Sequence, residues 1–361
     1  MKIGIVTLYG NFNYGNRLQN YALQEVLKKL GHKPKTLVIR NKTNQLKEIL
    51  KIFLEKENSK LKIKKVKDIK REKNFDKFNE ENIDVDILNS LGGKFNKELN
   101  KKYDYFIVGS DQVWNPNFWR EKKEGKECNN YLLKFVEPSK RISYAASFGV
   151  DNLDKYWEEE FKEELKYFKA ISVREEEGKK IVNRLSIENV EVVLDPTMLL
   201  TKEEWLKLEE KVNNLSSKYI LVFFLGNIDM ETNIYIENIA KKRNLEIINM
   251  MSIDDRNVYS INPAQLIYMI RNAELVITDS FHLTVFSIIF QKYFLSLKRK
   301  QKGMKDMSSR LTTLLKKVKL EKRMEFLEEN EIFKCNFEET EKILENEREK
   351  SIFFLKKALE D

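Results

Sequence analysis

The chain holds only two histidines, His32 and His282, so a reaction that needs an imidazole near neutral pH has few candidates. His32 follows a predicted helix end, where a polar cap is ordinary. His282 lies in residues 275–291, where an apolar run passes through Asp279 and Ser280 into an apolar segment of helical length. This order places polar groups at the carboxyl edge of a sheet, beside a helix N-terminus that favours anions.

We therefore expect His282 to act as general acid or base, with Asp279 and Ser280 in the same ligand site. The alternative is a histidine that only caps the turn by bonding to Asp279 or Ser280. Two arginines could hold an anion nearby, because a guanidinium can grip a carboxylate or phosphate through two parallel hydrogen bonds. Arg174 directly follows a predicted strand, and Arg310 lies on a predicted helix. The alternative for Arg174 is a surface ion pair with the glutamates at positions 175–177.

Further polar residues follow other predicted strands. The first strand leads into a loop with two glycines at residues 10–15, which would let backbone N–H groups approach an anion. The helix after this loop begins with polar side chains that face a ligand or only solvate the helix: Asn16, Arg17, Gln19 and Asn20. Ser110, Asp111 and Ser147 follow two later strands. In a parallel sheet such residues gather along the edge where ligands bind.

Several other kinds of site are disfavoured. The histidines are isolated and Asp279 has no neighbouring ligand at a familiar spacing, so we expect no metal site. Cys128 and Cys335 lie far apart in contexts that would not activate a nucleophile. The first glycine loop lacks the dinucleotide spacing, and P-loop and G-x-S-x-G patterns are absent. What remains suits the binding of a phosphorylated anion and the movement of protons.

Predicted strands and helices alternate along the 361 residues, which indicates an α/β fold with parallel sheets. A charged helix and a polar turn interrupt this pattern near residue 200. We therefore expect two Rossmann-like domains that face each other across a cleft. We assign residues 1–200 to the first, with a lysine-rich helical insertion at about 41–102, and residues 201–320 to the second. Residues 321–361 would form C-terminal helices that could pack back on the first domain.

The formal charge of +9 would suit an anionic partner. Much of the excess lies between residues 42 and 73, where lysines alternate with apolar residues. The simplest interpretation is an exposed helix pair, and the alternative is a peripheral contact with anionic lipid. No nucleic-acid motif accompanies the charge, so no such partner is expected. With neither a signal peptide nor an apolar run of about eighteen residues, we expect a cytoplasmic protein, peripheral at the inner membrane face if the lysines contact lipid.

Six stretches of the sequence, spread in order over roughly residues 1–300, match one family. They read GNFNYGNRLQNYAL at 10–23, VGSDQVWNP at 108–116, SYAASFG at 143–149, SVRE at 172–175, VLDPT at 193–197 and ITDSFH at 277–282. With these motifs the chain resembles the polysaccharide pyruvyl transferases. Each motif alone is weak, and jointly they are specific.

The resemblance implies a fold similar to the two-domain GT-B glycosyltransferases. It also implies metal-independent transfer of a pyruvyl group from phosphoenolpyruvate to two hydroxyls of a surface polysaccharide or its precursor, which gives a ketal. Phosphoenolpyruvate would be the donor substrate, no cofactor would be needed, and a glycan or lipid-linked sugar would be the acceptor. By the family's pattern, His282 would be the acid/base and Arg174 a ligand of the donor anion.

The chain departs from the family's pattern next to this histidine. Ser280 stands where an arginine is expected, and Leu283 stands where a glycine is expected. We expect another cation to replace the guanidinium, and the candidates are Arg17, Arg299 and Arg310. One alternative function is a nucleotide-sugar-dependent glycosyltransferase on the same scaffold, although only Arg299 and Lys300 offer a basic pair for a diphosphate. A second alternative is a non-catalytic glycan-binding protein.

Overall fold

The computed structural model describes residues 1–9, 12–39, 59–89, 96–118, 126–215, 217–253, 258–300 and 309–360. Its strands form two sheets, and every strand pairing within them is parallel. The first sheet contains β1 Lys2–Val6, β2 Lys33–Ile39, β3 Val85–Leu88, β4 Tyr105–Val108, β5 Arg141–Ala146, β6 Ala170–Val173 and β7 Val190–Val192. The second contains β8 Tyr219–Phe223, β9 Glu246–Asn249, β10 Leu275–Thr278 and β11 Tyr293–Ser296.

Helices connect most of these strands. In the first half they are α1 Tyr14–Lys29, α2 Ser59–Asn82, α3 Lys97–Lys102, α4 Lys126–Tyr131, α5 Lys155–Leu165, α6 Glu176–Arg184 and α7 Lys202–Leu206. Later in the chain they are α8 Met230–Arg243, α9 Pro263–Asn272, α10 Phe281–Ile289, α11 Ser309–Lys317, α12 Glu329–Ile332 and α13 Phe337–Glu360. The predicted α/β fold with two Rossmann-like sheets is therefore confirmed.

The strand order decides where a ligand can bind. The first sheet runs β3-β2-β1-β4-β5-β6-β7, and the second runs β11-β10-β8-β9. In each sheet the order reverses once, between β1 and β4 in the first and between β8 and β10 in the second. Ligands of open parallel sheets bind at such switch points, beyond the carboxyl ends of the strands. Strands β8 and β10 are buried throughout, which explains their largely apolar sequences.

The lysine-rich insertion was predicted to be helical, and this is only partly right. Its described part contains the long helix α2, but also β3, which pairs with β2 as the edge strand of the first sheet. β3 has only four residues and partly exposed side chains, so it lacks the apolar run that marks a buried strand. Residues 40–58 and 90–95, which include much of the segment at 42–73, lie outside the described residues.

Helix α2 bridges the two halves of the molecule. The Arg71 guanidinium on this helix is only 5% exposed, and it lies 5.0 to 5.7 Å from the centroids of four aromatic rings, those of Phe12, Tyr14, Phe75 and Tyr259. One turn further, Asn74 donates a hydrogen bond to the Ser260 carbonyl (2.6 Å) in the second half. The insertion is thus tied both to the loop before α1 and to the residues before α9.

The long helix α13 lies against the first sheet. The Leu194 N–H donates to Ser351 Oγ (3.0 Å), and Arg348 Nε donates to the Met198 carbonyl (2.9 Å). Both contacts hold the segment that follows β7. The exact domain boundaries stay predictions. None of the described helices is both long and apolar enough to cross a bilayer.

Candidate active site

A buried arginine and two aspartates from three strand ends form the centre of the site. Arg174 follows β6, and its side chain is 2% exposed. Its Nη1 donates to Asp195 Oδ2 (2.7 Å) and its Nη2 to Asp111 Oδ1 (3.1 Å). Burial alone would lower the pKa of Arg174, but the two carboxylates raise it. The alternative of a surface ion pair with the following glutamates is therefore wrong.

Asp195 lies between this arginine and the histidine. Besides Arg174, it accepts hydrogen bonds from Ser110 Oγ (3.0 Å) and from the N–H and hydroxyl of Thr197 (3.1 and 2.7 Å). His282 Nε2 lies 3.8 Å from Asp195 Oδ2, which is an ionic contact when the imidazole is protonated and too long for a hydrogen bond. Burial opposes ionisation, but these neighbours hold the pKa of Asp195 well below its usual range.

Asp111 is held in an uncommon backbone conformation. Its φ is 65°, in the left-handed region that few non-glycine residues adopt. Burial would raise the pKa of its carboxyl, but Arg174, His282 and Arg310 lower it. Such backbone strain is tolerated where the surrounding structure fixes a functional side chain, and here it accompanies the carboxylate that connects the two buried arginines.

His282 is in the first turn of α10, as predicted, and is 6% exposed. Its Nε2 is buried and has no hydrogen-bond partner among the described residues. Asp279, one of the two residues that this histidine could cap, has its carboxylate occupied elsewhere. It accepts from the N–H groups of Leu225 and Gly226 (2.7 and 2.8 Å) and from Arg299 Nε (3.1 Å). Asp279 therefore joins the ends of β8, β10 and β11.

The three candidates for the replacement cation have different surroundings. Arg299 is paired with Asp279. Arg17 lies over the Tyr9 ring (4.6 Å to the centroid), and burial lowers its pKa. Arg310, only 8% exposed, is in the site, because its Nη1 lies 3.8 Å from Asp111 Oδ1. Burial and the charge of neighbouring Arg174 lower its pKa to about 10.

Phe281 forms an apolar surface for both arginines. The Arg174 guanidinium carbon lies 4.4 Å from the centroid of its ring, and that of Arg310 lies 5.8 Å away. Cation–π attraction favours this arrangement. The same helix turn thus presents the imidazole and supports two guanidinium groups.

Several of the other predicted site residues form hydrogen bonds within the protein. Gln19 donates to Thr7 Oγ1 (2.8 Å) and accepts from the Ser110 N–H (3.1 Å). Asn20 Oδ1 accepts from the Thr36 hydroxyl (2.8 Å). Asn16 is buried beside Gly15, and its Oδ1 has no partner within the described parts of the chain.

Glu175 was considered only as an ion-pair partner and proves to be a buried part of the site. Its Oε1 accepts from Ser147 Oγ (2.9 Å) and from the N–H groups of Phe148 (2.9 Å) and Gly149 (3.3 Å). Its Oε2 has no hydrogen-bond partner in the described structure. Burial raises the pKa of Glu175, against the charges of Arg174 and Arg310.

Sequence reasoning did not propose Asp195, Glu175 or Phe281 as site residues, although each lies in one of the motifs that carried the resemblance. Asp195 is also an acidic residue directly after a strand of the same sheet. Gly15 was expected in a loop that approaches an anion, and its contact with His282 was not. Among the described residues, no group of three or more metal-binding side chains comes together. Metal independence itself stays a prediction.

Comparison with known families decides the relationship. The family model described as polysaccharide pyruvyl transferase matches residues 13–301, which is most of the chain and includes every site residue described above except Arg310. The chain belongs to the polysaccharide pyruvyl transferase family. In this member of the family, His282 and Arg174 lie in the motifs that carried the resemblance. Among curated proteins, none matches the sequence.

Three of the solved structures that the chain resembles have low sequence identity to it. UDP-N-acetylglucosamine 2-epimerase from Rickettsia bellii has 10% identity and a TM-score of 0.48, over 100% of this chain and 97% of that one. The UDP-GlcNAc 2-epimerase of Methanocaldococcus jannaschii in complex with UDP-GlcNAc and UDP has 16% identity and a TM-score of 0.46, over 96% and 99%. Arabidopsis thaliana UGT89C1 complexed with UDP-L-rhamnose has 9% identity and a TM-score of 0.47, over 98% of each chain.

Proposed function

We propose that this protein moves the pyruvyl group of phosphoenolpyruvate onto two hydroxyls of a sugar and forms a ketal. One observation carries the proposal. Three buried side-chain nitrogens of the site, His282 Nε2, Arg174 Nε and Arg310 Nε, have no hydrogen-bond partner in the described parts of the chain. Unpartnered buried polar groups are rare in folded proteins, so three of them close to the same two aspartates favour a polar ligand.

The charges favour a small anion as this ligand. Arg174 offsets one of the two negative charges of Asp111 and Asp195, and Arg310 lies near the same Asp111 carboxylate. Arg310 has no carboxylate at hydrogen-bond distance among the described residues, since its nearest approach to Asp111 is 3.8 Å. A buried guanidinium with no close counter-charge is costly unless a ligand supplies one. In the proposed complex, Arg310 replaces the guanidinium that Ser280 lacks and binds the donor's phosphate or carboxylate.

The reaction needs two proton movements that one imidazole can serve. The first sugar hydroxyl adds to the central carbon of phosphoenolpyruvate, and the methylene carbon takes up a proton to become a methyl group. The bond to phosphate then breaks, and the second hydroxyl bonds to the same carbon and gives its proton to the departing phosphate. The products are the ketal and inorganic phosphate. We assign to His282 the proton transfer at the reacting atoms.

Arg310 would stabilise the negative charge that grows on phosphate as its bond to carbon breaks. Asp195, 3.8 Å from His282 Nε2, would stabilise the imidazolium form after it has accepted a hydroxyl proton. The acceptor in this proposal is a glycan or lipid-linked sugar of a surface polysaccharide. The basic pair required by a diphosphate-sugar donor is less suitable, because Arg299 is bonded to Asp279 and Lys300 forms an ion pair with Asp229.

Thermal unfolding with candidate donors tests the proposal, because a ligand that binds only the native state raises the melting temperature. We expect phosphoenolpyruvate at a concentration well above its dissociation constant to raise Tm by a few degrees, and UDP- and GDP-sugars to leave it unchanged. Arg310→Met should abolish the shift. The matched control Lys77→Met, an exposed residue on α2, should keep it. Stabilisation by a diphosphate sugar and not by phosphoenolpyruvate would refute the proposal.

A further inference from the structure

Glu175 is the one buried carboxylate of the site that has an unpartnered oxygen in the described structure. The residue is fully buried. Its Oε1 is fixed by three donors from the loop after β5, namely Ser147 Oγ and the N–H groups of Phe148 and Gly149. The orientation of the carboxyl group is therefore set, and only Oε2 remains available for a further contact.

The charged groups around Glu175 are the two arginines of the site. Arg174 and Arg310 both act on it electrostatically, but neither forms an ion pair within 4 Å of it among the described residues. Arg174 directs both terminal nitrogens to Asp111 and Asp195. Arg310 keeps an unpartnered Nε. Arg310 Nε, a hydrogen-bond donor, and Glu175 Oε2, an oxygen, are therefore both buried and do not bond to each other. A ligand that bonds to both atoms would satisfy them.

The protonation of Oε2 decides which ligand can form this bridge. An ionised carboxylate can only accept hydrogen bonds and would repel an anion, whereas a protonated one can donate a hydrogen bond to it. Burial without a partner for Oε2 favours the neutral form, and the pKa of Glu175 is raised by this burial. A bound phosphate or carboxylate would favour the neutral form further.

We propose that Glu175 is a donor-binding residue, which carries a proton on Oε2 and shares the donor's anionic group with Arg310, so that the donor binds together with a proton. This inference rests on the proposed function, because it requires an anionic donor in the cleft. It adds a group that the sequence did not indicate. It also predicts how binding depends on pH, since every donor molecule bound fixes one proton on Glu175.

Donor affinity should depend on pH through the proton on Glu175. The anion raises the pKa of Glu175 above that of the free protein, so affinity is greatest at low pH. Between the two pKa values the affinity falls tenfold for each pH unit, and above the higher value it becomes constant again. Two other groups could bind this proton, namely His282 and the phosphate of the donor, whose second pKa is about 6. A slope due to either of them would remain in Glu175→Gln.

Isothermal titration calorimetry of the full chain with phosphoenolpyruvate, in buffers of different ionisation enthalpy between pH 5.5 and 8.5, tests the inference. We expect the wild type to take up protons on binding and to show the tenfold slope. Glu175→Gln keeps an oxygen for the three donors and a permanent N–H donor at the second position. It should bind with nearly unchanged affinity at low pH and without the slope. The comparison variant His282→Gln should retain the slope.

Three outcomes overturn the inference. They are an equal slope in the wild type and Glu175→Gln, loss of binding in Glu175→Gln at pH 5.5 with a normal melting temperature, and loss of the slope in His282→Gln alone. In each of these cases phosphoenolpyruvate still binds the wild type, so the proposed function stands. If phosphoenolpyruvate produces no binding heat at any pH and no thermal shift, the proposed function and this inference both fail.

Discussion

The backbone of Gly15 lies directly against the imidazole of His282. A Cβ on residue 15 would lie 2.0 Å from Nδ1 and 2.4 Å from Cγ of this ring, far inside van der Waals contact. Gly15 belongs to the first turn of α1 in the first half of the molecule, whereas His282 belongs to α10 in the second. This glycine is therefore required for a close approach of the two halves, and it sets the position of the ring.

Gly15→Ala should displace the imidazole and lower kcat by about 100-fold, which is the usual effect of moving a catalytic group by about 1 Å. Steady-state kinetics of phosphate release, with thermal unfolding to verify the fold, is the measurement. The control is Gly31→Asn. Gly31 follows the other end of the same helix with φ +83 and open space around it, and asparagine tolerates this conformation. Equal activity of the two variants would show that the contact does not position the ring.

His282→Ala should abolish turnover and leave the fold intact. The side chain makes no hydrogen bond through Nε2 to described residues, so its removal breaks little structure, but the proton transfer loses its carrier. Phosphate release and circular dichroism are the measurements. Retained turnover would exclude His282 from the mechanism.

The two buried arginines should respond differently to the same substitution. Arg174→Met leaves the carboxylates of Asp111 and Asp195 without their main counter-charge, and should lower the free energy of unfolding by about 3 to 5 kcal/mol. Arg310→Met removes a buried charge whose nearest carboxylate, that of Asp111, lies 3.8 Å away, and should lower stability much less than Arg174→Met does. Urea denaturation measures both changes.

For donor binding, the larger effect should come from Arg310→Met and not from Arg174→Met. Arg310→Met should weaken phosphoenolpyruvate binding by at least tenfold in a folded protein, since a charge-assisted hydrogen bond contributes roughly 1.5 kcal/mol or more. If Arg310→Met destabilised the protein as strongly as Arg174→Met, the assignment of Arg310 to the ligand would be wrong.

Stability in acid should depend on Asp195. Its pKa is held below the usual range by His282 and Arg174, so its ionised form stabilises the folded state. This contribution is complete above the pKa of an unfolded aspartate, about 3.9, and is lost as the pH falls through the lower value of the folded protein. The stability difference between wild type and Asp195→Asn should therefore be constant from pH 5 to 7 and should shrink below about pH 4. Urea midpoints across this range measure it, and a difference that grew in acid would contradict the assignment.

The contacts of Arg71 on α2 should contribute measurably to the stability of the fold. Arg71→Ala removes a buried cation from four aromatic rings and the hydrogen bond to the Phe12 carbonyl (3.1 Å), and should cost about 2 kcal/mol. Lys77→Ala, on the exposed face of the same helix, should change stability by less than about 0.5 kcal/mol. Thermal unfolding compares them. Equal melting temperatures would show that α2 does not hold the halves together.

Much of the fold could be predicted from the sequence because the strands of parallel sheets are short apolar runs that end in polar residues. The strand Tyr105–Val108 is such a run, and the helix Pro263–Asn272 carries clear signals at its start. This helix begins with proline at its first position and a capping box between Asn262 and Gln265. Such signals are local, so a single sequence carries them.

Predictions failed where tertiary contacts override local pattern. The charged helix predicted near residue 200 is short, because α7 ends at Leu206. Beyond it the Glu210 N–H donates to the Ala264 carbonyl (3.3 Å), a partner distant in sequence that no local pattern reveals. The edge strand β3 was missed for a related reason, since its pairing with β2 supplies what its composition lacks.

In the site, the sequence indicated which strand ends carry polar residues, and could not tell ligand groups from internal ones. Asp279 and Arg174 follow strands in the same way. The first binds two backbone N–H groups of its own sheet edge and the second binds two carboxylates. Which role a polar residue takes depends on the loops opposite it, and these come from distant parts of the chain.

The hydrogen bonds between α13 and the segment around Asp195 can form only late in synthesis on the ribosome. The residues that fix Leu194 and Met198 are translated 157 and 150 positions later. Both sheets can therefore be complete in a nascent polypeptide while the aspartate beside the imidazole still lacks its outer support. A message truncated before codon 337 would give a protein with every strand present and an unfinished catalytic centre.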